Sequence, residues 1–343
     1  MTAQIIDYYA DTPYNMAALV EMVNNLEYVP SQLSADGVYD EIPVPYWDIA
    51  FDILEEQISR LATGYPNGQP NMPVLAKAAL KKLSTYHLKD LHTFTPQDAL
   101  GFRDPGGVQN TSKLSLIARA QMNMVKRIEL TLEWFRMSAI QGAIKEPGDN
   151  TKTLASATTL LDLESEFSKS VQTLDFVTET ATTDIRGKCV QALRLMETAF
   201  GGRSPVSAIG YCDSAGFDAL VGHATVTDAF KYTQSLQPST DLRNGFNFGG
   251  ILWKEYRQRQ ISGVNEFIAA NTAYIVPVGM GNFRSFYGPA LYFSQINTEG
   301  SKYFSKMVDS LDDSYTQLQV QSNPLIINTN PDAVIKATLS TPA

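Results

Sequence analysis

The sequence predicts an α+β fold, and two observations support this. Residues 112–143 place apolar side chains three or four residues apart, and after residue 184 short alternating stretches are interspersed with shorter helical patterns. Of the 343 residues, 44% are hydrophobic and 18% are charged, and Gly and Pro are scattered, which excludes a disordered or repetitive chain. A chain of this length can bury a sizeable core, in one large domain or two ordinary ones.

Residues 1–38 are predicted to form an N-terminal arm. Tyr8, Tyr9 and Tyr14 are interspersed with residues that break regular structure, such as Pro13 and Pro30. So short a stretch cannot bury its own aromatic side chains, because ordering it costs more than it can recover alone. The arm therefore packs on the body of the protein or reaches a neighbouring subunit, and the sequence leaves both alternatives open.

Residues 47–93 are predicted to form two strands joined by a long loop. Residues 47–53 alternate apolar with polar or small side chains, as a half-buried strand does, and residues 83–94 are the predicted return strand. Between them, residues 64–73 contain three prolines and two glycines, so no regular element is expected there. We therefore expect a long protruding loop, and an ordinary surface loop, which loop lengths alone favour, is the alternative.

The long helical pattern of residues 112–143 predicts a single helix of roughly 48 Å at about 1.5 Å per residue. Thr111 or Ser112 can cap its start, and Gly142 ends it. The apolar stripe consists of Leu114, Ile117, Met124, Ile128, Leu132, Phe135 and Ala139. The polar residues that fall largely elsewhere are Arg119, Asn123, Lys126, Glu129, Glu133 and Arg136. The stripe requires a sheet or another helix beneath it.

The rest of the chain alternates helices and strands. Helices are predicted at residues 184–200, 214–222 and 226–235. Strands are predicted at residues 206–211, 250–256, 272–277, 288–293, 315–321, 325–327 and 333–339.

The sequence predicts no catalytic, cofactor-binding or metal-binding residues. His87 and His92 are five residues apart, which suits neither two ligands on one helix face nor one face of a strand. His223 is expected to cap a short helix, and Cys189 and Cys212 to be small core residues of a protein in a reducing cytosol. Gly279-Met280-Gly281 does not continue into a dinucleotide fingerprint, and no phosphate-binding loop sequence occurs.

The charge balance excludes further classes. A formal net charge of −9 argues against a protein that grips nucleic acid through its phosphates. The N-terminal residues lack the pattern of a secretion signal, and no stretch approaches the ~20 apolar residues that cross a bilayer. We therefore expect a protein that folds in a cytoplasm, is not an enzyme and does not enter a membrane.

The C-terminal third resembles the lambda-type phage major head proteins, the capsid protein E family. The motifs that carry the resemblance are Ala273-Tyr274-Ile275-Val276-Pro277-Val278-Gly279, Phe283-Arg284, Tyr287-Gly288-Pro289-Ala290, Gln321-Ser322-Asn323-Pro324-Leu325-Ile326-Ile327 and Pro331-Asp332-Ala333-Val334-Ile335. Upstream, Phe94-Thr95-Pro96, the long helix, Ile209-Gly210 and Phe217-Asp218-Ala219-Leu220 extend it over residues 40–340 or so.

The resemblance implies a Hong-Kong-ninety-seven-like major capsid fold. Its parts would be an arm at 1–38, an extended β-hairpin loop at 47–93, a peripheral domain and an axial domain. The peripheral domain would comprise 39–46, 94–182 and 296–323, with its spine helix at 112–143, and the axial domain 183–295 and 324–343. The residues then expected at subunit interfaces are Tyr8, Tyr9, Tyr14, Tyr65, Pro66, Pro70 and Pro73.

The function implied is that of a structural subunit that self-assembles, as pentamers and hexamers, into the icosahedral shell of a tailed bacteriophage. The shell would enclose double-stranded DNA without specific binding, and would be assembled in the host bacterial cytoplasm with a separate scaffolding protein, a portal and a decoration protein. No cofactor is implied. An encapsulin-like nanocompartment of the same fold is the alternative.

Some relatives join a loop lysine to a neighbour's asparagine in an isopeptide bond. Lys77, Lys81, Lys82 and Lys89 lie near the loop of this chain. Because the lambda-type branch relies on a decoration protein instead, we expect no crosslink.

Overall fold

The computed structural model of the chain describes residues 32–53, 79–97, 113–148, 152–176, 178, 182–233, 242–257, 260–261, 264–265, 267–295, 298–312 and 314–339. The described helices are α1 Gln32–Ala35, α2 Lys113–Ile140, α3 Leu163–Phe167, α4 Ile185–Ala199, α5 Ser214–Gly222 and α6 Ala224–Thr233. Short 3-10 helices occur at Leu242–Asn244, Phe293–Gln295 and Pro331–Ala333.

The described strands up to the middle of the chain are β1 Asp40–Pro43, β2 Asp48–Ile53, β3 Ala79–Ser84, β4 Leu88–Phe94, β5 Ala143–Lys145, β6 Thr159–Asp162, β7 Gln172–Asp175, β8 Ser207–Cys212 and β9 Phe246–Phe248. Those that follow are β10 Ile251–Glu255, β11 Gln260–Ile261, β12 Val264–Asn265, β13 Thr272–Val278, β14 Phe283–Tyr287, β15 Phe304–Asp309, β16 Thr316–Ser322, β17 Pro324–Asn328 and β18 Ile335–Thr338.

The largest sheet has six strands in the order β7-β18-β13-β8-β10-β9. Its β18-β7 and β8-β10 pairs are parallel, and its other pairs are antiparallel. One face packs against α4 and α5 around Trp253, Cys189 and Phe217, all of which are buried. Residues directly opposite one another on adjacent strands share a face of the sheet. Tyr274 and Tyr211 are such a pair, and they lie on the face that turns away from α4 and α5 and packs into a second core, which also contains α2.

The helix α2 runs over a three-stranded antiparallel sheet, β15-β16-β4. Ile117, Met124 and Leu132 on the helix share one core with Leu318 and Val320 of the central strand. The side-chain amide of Gln121 also donates to the Ser305 hydroxyl across this interface, at 2.9 Å. The prediction of one long helix with a sheet beneath it is confirmed, with 28 residues spanning about 42 Å.

A second three-stranded sheet, β1-β14-β17, joins distant parts of the chain. Strand β1 is parallel to β14, and β14 is antiparallel to β17. All five residues of β17 are buried. The residues that follow the predicted arm are therefore built into the body through main-chain pairing.

The prediction of a single return strand at residues 83–94 is wrong. Strand β2 pairs with β3, from Asp48 opposite Ser84 to Ile53 opposite Ala79, whereas β4 pairs with β16. The chain changes sheets at residues 85–87, where the Tyr86 N–H donates to the Pro324 carbonyl at 2.8 Å. Residues 88–93, expected in the extended loop, thus belong to the sheet under α2. The change depends on a hydrogen bond to Pro324, more than two hundred residues later in the chain, so the local sequence does not reveal it.

The prediction of a strand at residues 288–293 is also wrong, because the observed strand is β14, which ends at Tyr287. The next two residues are Gly288 and Pro289, and proline has no N–H to contribute to a sheet. At the C-terminal end, a 3-10 helix occupies the start of the strand expected at 333–339, and β18 begins at Ile335. The helices expected at 184–200 and 214–222 are confirmed as α4 and α5.

Among the described residues, none of the helices combines the length and apolar character needed to cross a bilayer.

Replacing Gly210 with alanine should destabilise the protein by about 1–3 kcal/mol. An added Cβ would lie 2.5 Å from the Cε3 atom of Trp253, whose ring is fully buried and packed edge-on against Phe176 and so cannot move aside. Gly222→Ala is the matched control, because a Cβ there meets nothing within 4 Å. Urea unfolding of both variants measures the difference, and equal midpoints would contradict the packing argument.

Candidate functional site

The seven residues predicted to form interfaces lie outside the described residues. They are Tyr8, Tyr9, Tyr14, Tyr65, Pro66, Pro70 and Pro73. The structure does describe the places where the arm and the extended loop join the body. We call residues 32–43 the arm anchor and the β2–β3 hairpin the loop base.

The arm anchor is held against α2 by buried contacts. Leu33 is fully buried, and its N–H donates to the Glu133 carboxylate at 3.0 Å. The Tyr39 hydroxyl donates to the carbonyl of Arg136 at 2.5 Å, and its ring meets Phe283 edge-on with 5.2 Å between centroids. A main-chain donor held by a side-chain carboxylate fixes the anchor at one position along the helix.

Arg136 lies at the centre of a buried ionic cluster. Its side chain is 0% exposed, and its guanidinium nitrogens lie 3.2 Å from Glu41, 3.6 Å from Glu129 and 3.5 Å from Glu133. The Lys302 ammonium adds ion pairs of 3.0 Å to both Glu41 and Glu129. Three carboxylates thus face two cations.

Tyrosine hydroxyls supply further hydrogen-bond donors to the carboxylates of this cluster. The Tyr256 hydroxyl donates to Glu133 at 2.8 Å, and the Tyr303 hydroxyl donates to Glu129. A carboxylate out of water needs either a cation or hydrogen-bond donors, and here each buried carboxylate has both. The cluster is therefore tied together by α2, β1 and the segment around residue 303.

The arm anchor also contacts the six-stranded sheet. The Tyr211 hydroxyl on β8 donates to Asp36 at 2.7 Å, and the Lys254 ammonium on β10 forms an ion pair with the same carboxylate. One short segment therefore holds α2 and the largest sheet together.

The sequence did not reveal this cluster, because Glu129, Glu133 and Arg136 fall on the predicted polar side of α2. They are buried instead, at 3%, 5% and 0% exposure. The sequence did contain one signal of the cluster. The two acids and the base are four and three positions apart, so they lie on one face of the helix. Nothing local shows that a segment about a hundred residues away covers that face.

Arg136→Gln should destabilise the folded chain by about 3–5 kcal/mol, because Glu129 and Glu133 keep their buried charges and lose their shared cation. Arg127→Gln is the control on the same helix. Arg127 pairs with Asp90 at 3.0 Å, but its own side chain is 75% exposed, so a cost of roughly 1 kcal/mol or less is expected. Chemical denaturation measures both, and a small effect at Arg136 would show that the cluster contributes little.

Burial raises the pKa of several tyrosines around this cluster. The pKa values of Tyr39, Tyr211 and Tyr256 lie well above 10, and burial raises those of Tyr274 and Tyr287 to about 12. Above pH 10 the unfolded chain therefore loses protons that the folded chain retains. This stabilising contribution is complete below pH 10 and is lost as the pH rises towards 12.

We expect alkaline unfolding between about pH 10 and pH 12, with tyrosinate absorbance and loss of circular dichroism rising together. Tyr274→Phe should move the midpoint to higher pH, because desolvation alone raises the Tyr274 pKa. Tyr46→Phe, at a side chain that is 70% exposed, is the control and should leave the midpoint unchanged. Tyrosinate formation well before unfolding would contradict the assignment.

The loop base is anchored on one side. Phe51 packs edge-on against Phe286 with 5.4 Å between centroids, and Lys81 forms a 3.0 Å ion pair with Glu166. The Trp47 indole N–H donates to the Pro289 carbonyl at 3.0 Å. The described part of the hairpin, residues 48–53 and 79–84, is therefore fixed against the body.

Two of the four lysines near the loop are paired within the chain, Lys81 with Glu166 and Lys82 with Asp48 at 2.7 Å. Lys89 is exposed on β4, and Lys77 lies outside the described residues. The Lys81 and Lys82 ammonium groups therefore lie against carboxylates of their own chain.

The histidines and cysteines have structural surroundings. His87 lies between β3 and β4, with its ring 2.7 Å from the Asn323 side chain, so it does not share a strand with His92 as the sequence suggested. His223 follows the last turn of α5, and its N–H donates to Leu220, which confirms the predicted cap. Both cysteines are buried and unbridged, and burial raises the pKa of the Cys189 thiol to about 12. Within the described ranges, no three potential metal ligands from His, Cys, Asp and Glu gather at one point.

Comparisons with known proteins agree with this architecture. The model of a family described as phage major capsid protein E matches residues 15–339. The major capsid protein of Pseudomonas phage KPP10 is 27% identical over 266 residues, which are 71% of this chain and 73% of that protein.

Two solved structures share the fold. A prophage capsid protein from E. coli CFT073 has a TM-score of 0.55 and 12% identity, covering 95% of this chain and 99% of its own. The capsid of Ralstonia phage GP4 has a TM-score of 0.51 and 11% identity, covering 100% of this chain and 99% of its own. At these identities the likeness shows the fold alone, and that fold is the Hong Kong type seen in phage capsids.

Proposed function

The chain belongs to the phage major capsid protein E family and is a structural shell subunit, and on that premise we propose how it builds the shell. Copies of the chain associate as pentamers and hexamers in an icosahedral shell that encloses the double-stranded DNA of a tailed phage. Assembly takes place in the cytoplasm of the host bacterium, with scaffolding, portal and decoration supplied by other polypeptides. The family match favours this function over an encapsulin-like compartment.

The observation that carries the proposal is the isolation of the loop base. Strands β2 and β3 pair with each other and with no other described strand. A lone two-stranded hairpin is marginally stable in water, so its outer part requires a neighbour. Because one face of the base is fixed to its own body, the neighbour lies along the direction in which the hairpin leaves. Pro66, Pro70 and Pro73 would keep the exposed loop from pairing with unintended strands.

The arm anchor supports a matching role for the arm. The segment at 32–38 is fastened through Leu33 and Asp36, so the point at which the rest of the arm joins it is fixed. We propose that the arm, 1–38, uses its last seven residues as this attachment and places Tyr8, Tyr9 and Tyr14 against a neighbouring subunit. Apolar side chains of the arm and loop would then be buried only on assembly, which makes their stability a property of the shell.

We further propose the two-domain division, a peripheral domain at 39–46, 94–182 and 296–323 and an axial domain at 183–295 and 324–343. The six-stranded sheet supports the axial part, since β8, β9, β10, β13 and β18 come from its ranges. Strand β7, at residues 172–175, is the edge strand of the same sheet. We therefore assign β7 to the axial domain, which moves one boundary of the proposed division.

The acidic balance of the chain suits a wall that holds DNA without gripping it. Each phosphate contact requires a basic side chain, and the chain carries 27 Lys and Arg against 36 Asp and Glu. The DNA is then retained by enclosure, and no sequence-specific contact is part of the proposal.

Expressed full-length protein, viewed by negative-stain electron microscopy alone and together with the other head proteins of its phage, tests the proposal. Capsomers or closed shells are expected. A chain that remains a folded monomer under every condition, including the complete set of head proteins, would contradict it. On the same particles, denaturing electrophoresis should show this chain as one band at 37.8 kDa, and covalent ladders of it would overturn the absence of a crosslink.

A further inference from the structure

Four large apolar side chains are exposed where the loop base meets the segment after β14. Tyr46 is 70% exposed, Trp47 46%, Leu291 47% and Phe293 96%. We call these four residues the aromatic patch. Scattered exposed apolar residues are normal on a protein surface, so what matters is whether the four form one surface.

The two segments that carry the patch are joined directly. The Trp47 indole donates to the Pro289 carbonyl at 3.0 Å, and the Val44 carbonyl accepts a 3.1 Å hydrogen bond from the Gly300 N–H. Phe293 follows Pro289 by four residues, and consecutive Cα atoms are about 3.8 Å apart, so it lies within roughly 15 Å of that contact. The four exposed side chains are therefore carried by two adjoining segments of the chain.

The main chain of the second segment is held in place. Tyr292, between Leu291 and Phe293, is buried, and the Lys306 ammonium lies 5.1 Å above its ring centroid. The Leu291 N–H donates to the Gln321 side chain at 3.4 Å. A segment whose main chain is already ordered loses less conformational entropy when it is covered, which favours binding.

Charge is absent from both segments. Residues 42–47 and 288–298 contain no Asp, Glu, Lys or Arg, although 18% of the chain is charged. Depletion of charge together with enrichment in Tyr, Trp and Phe is the composition of the buried centre of a protein interface.

The area of the patch limits what it can do alone. A fully buried aromatic side chain contributes about 150–250 Å², so the exposed fractions given above amount to roughly 500 Å². This is as large as the largest apolar patch of a typical monomer, and it is less than the ~800 Å² that each partner buries in a standard interface. The patch is thus large enough for the centre of an interface whose remainder lies on adjoining surfaces.

We propose that the aromatic patch is buried against a second copy of this chain in the assembled shell. The inference rests on the proposed function, in which the loop base points towards a neighbouring subunit. Under that proposal the neighbour lies beside the root of the hairpin, where Tyr46 and Trp47 immediately precede β2. The contact is between unlike surfaces of the two copies, as repeated contacts around a ring of subunits require.

The test compares Phe293→Ser and Tyr46→Ser with Val206→Ser. Val206 is 82% exposed and apolar, but it precedes β8, far along the chain from both patch segments. All three variants should fold, with melting temperatures close to that of the unmodified chain, because the altered side chains are largely in solvent. The two patch variants should give at least tenfold fewer shells in sedimentation and electron microscopy, since central aromatic residues dominate interface affinity. The Val206 variant should assemble normally.

A photo-crosslinking residue at position 293 identifies what covers the patch. Irradiation of assembled shells should yield a covalent dimer of this chain, and irradiation of unassembled subunits should not. Adducts formed only with a scaffolding or decoration protein would overturn the assignment to a second copy, as would normal shell yields from both patch variants. If the unmodified chain itself forms no capsomers or shells with its full set of head proteins, the proposed function fails, which is a separate outcome.

Discussion

The burial of Arg136 is the constraint on which the rest of the structure depends. A guanidinium group removed from water must be surrounded by carboxylates, and these come from its own helix and from β1, which lies about a hundred residues earlier in the chain. Tyr287 on β14 adds a hydroxyl 3.3 Å away. Since Glu41 and Tyr287 belong to other elements, helix α2 cannot shift without separating the buried guanidinium from them.

The described residues form two large apolar cores, and the buried tyrosines around the cluster belong to the core that contains α2. One core joins α2 to the sheets beneath it, and the other joins the six-stranded sheet to α4 and α5. Apolar packing supplies most of the stability but is tolerant of small displacements, whereas charged pairs and hydrogen bonds require particular distances. We infer that the cores stabilise the subunit and that the cluster specifies one arrangement of its elements. A shell in which every copy contacts its neighbours in the same way requires one arrangement of the elements in every subunit.

The sequence predicted which residues share a face more reliably than it predicted what covers that face. The long helix and its apolar stripe followed from spacing alone, as did α4, α5 and the central strands. The polar side of α2 was expected in solvent and is buried, because the residues that cover it, around Leu33 and Glu41, are distant in sequence. For the same reason the change of sheet at residues 85–87 was missed, since it depends on a hydrogen bond to Pro324. The predicted interface residues lie outside the described residues, so they stay a prediction.

Buried aromatic residues stabilise the subunit itself, whereas exposed aromatic residues are available for the proposed contacts between subunits. Tyr39, Tyr211, Tyr256 and Tyr287 are buried, and three of them place their hydroxyls on the carboxylates or the guanidinium of the cluster and its neighbour Asp36. Phe293 and Tyr46 are exposed, and no charged residue of either segment accompanies them. The hydrophobic effect favours the burial of the first group of rings within a single chain. The exposed rings of the second group remain in contact with water, which is unfavourable until another surface covers them. The free energy that a lone subunit leaves unrealised at such residues is available to drive association, so a shell can be stable even though no single contact within it is strong.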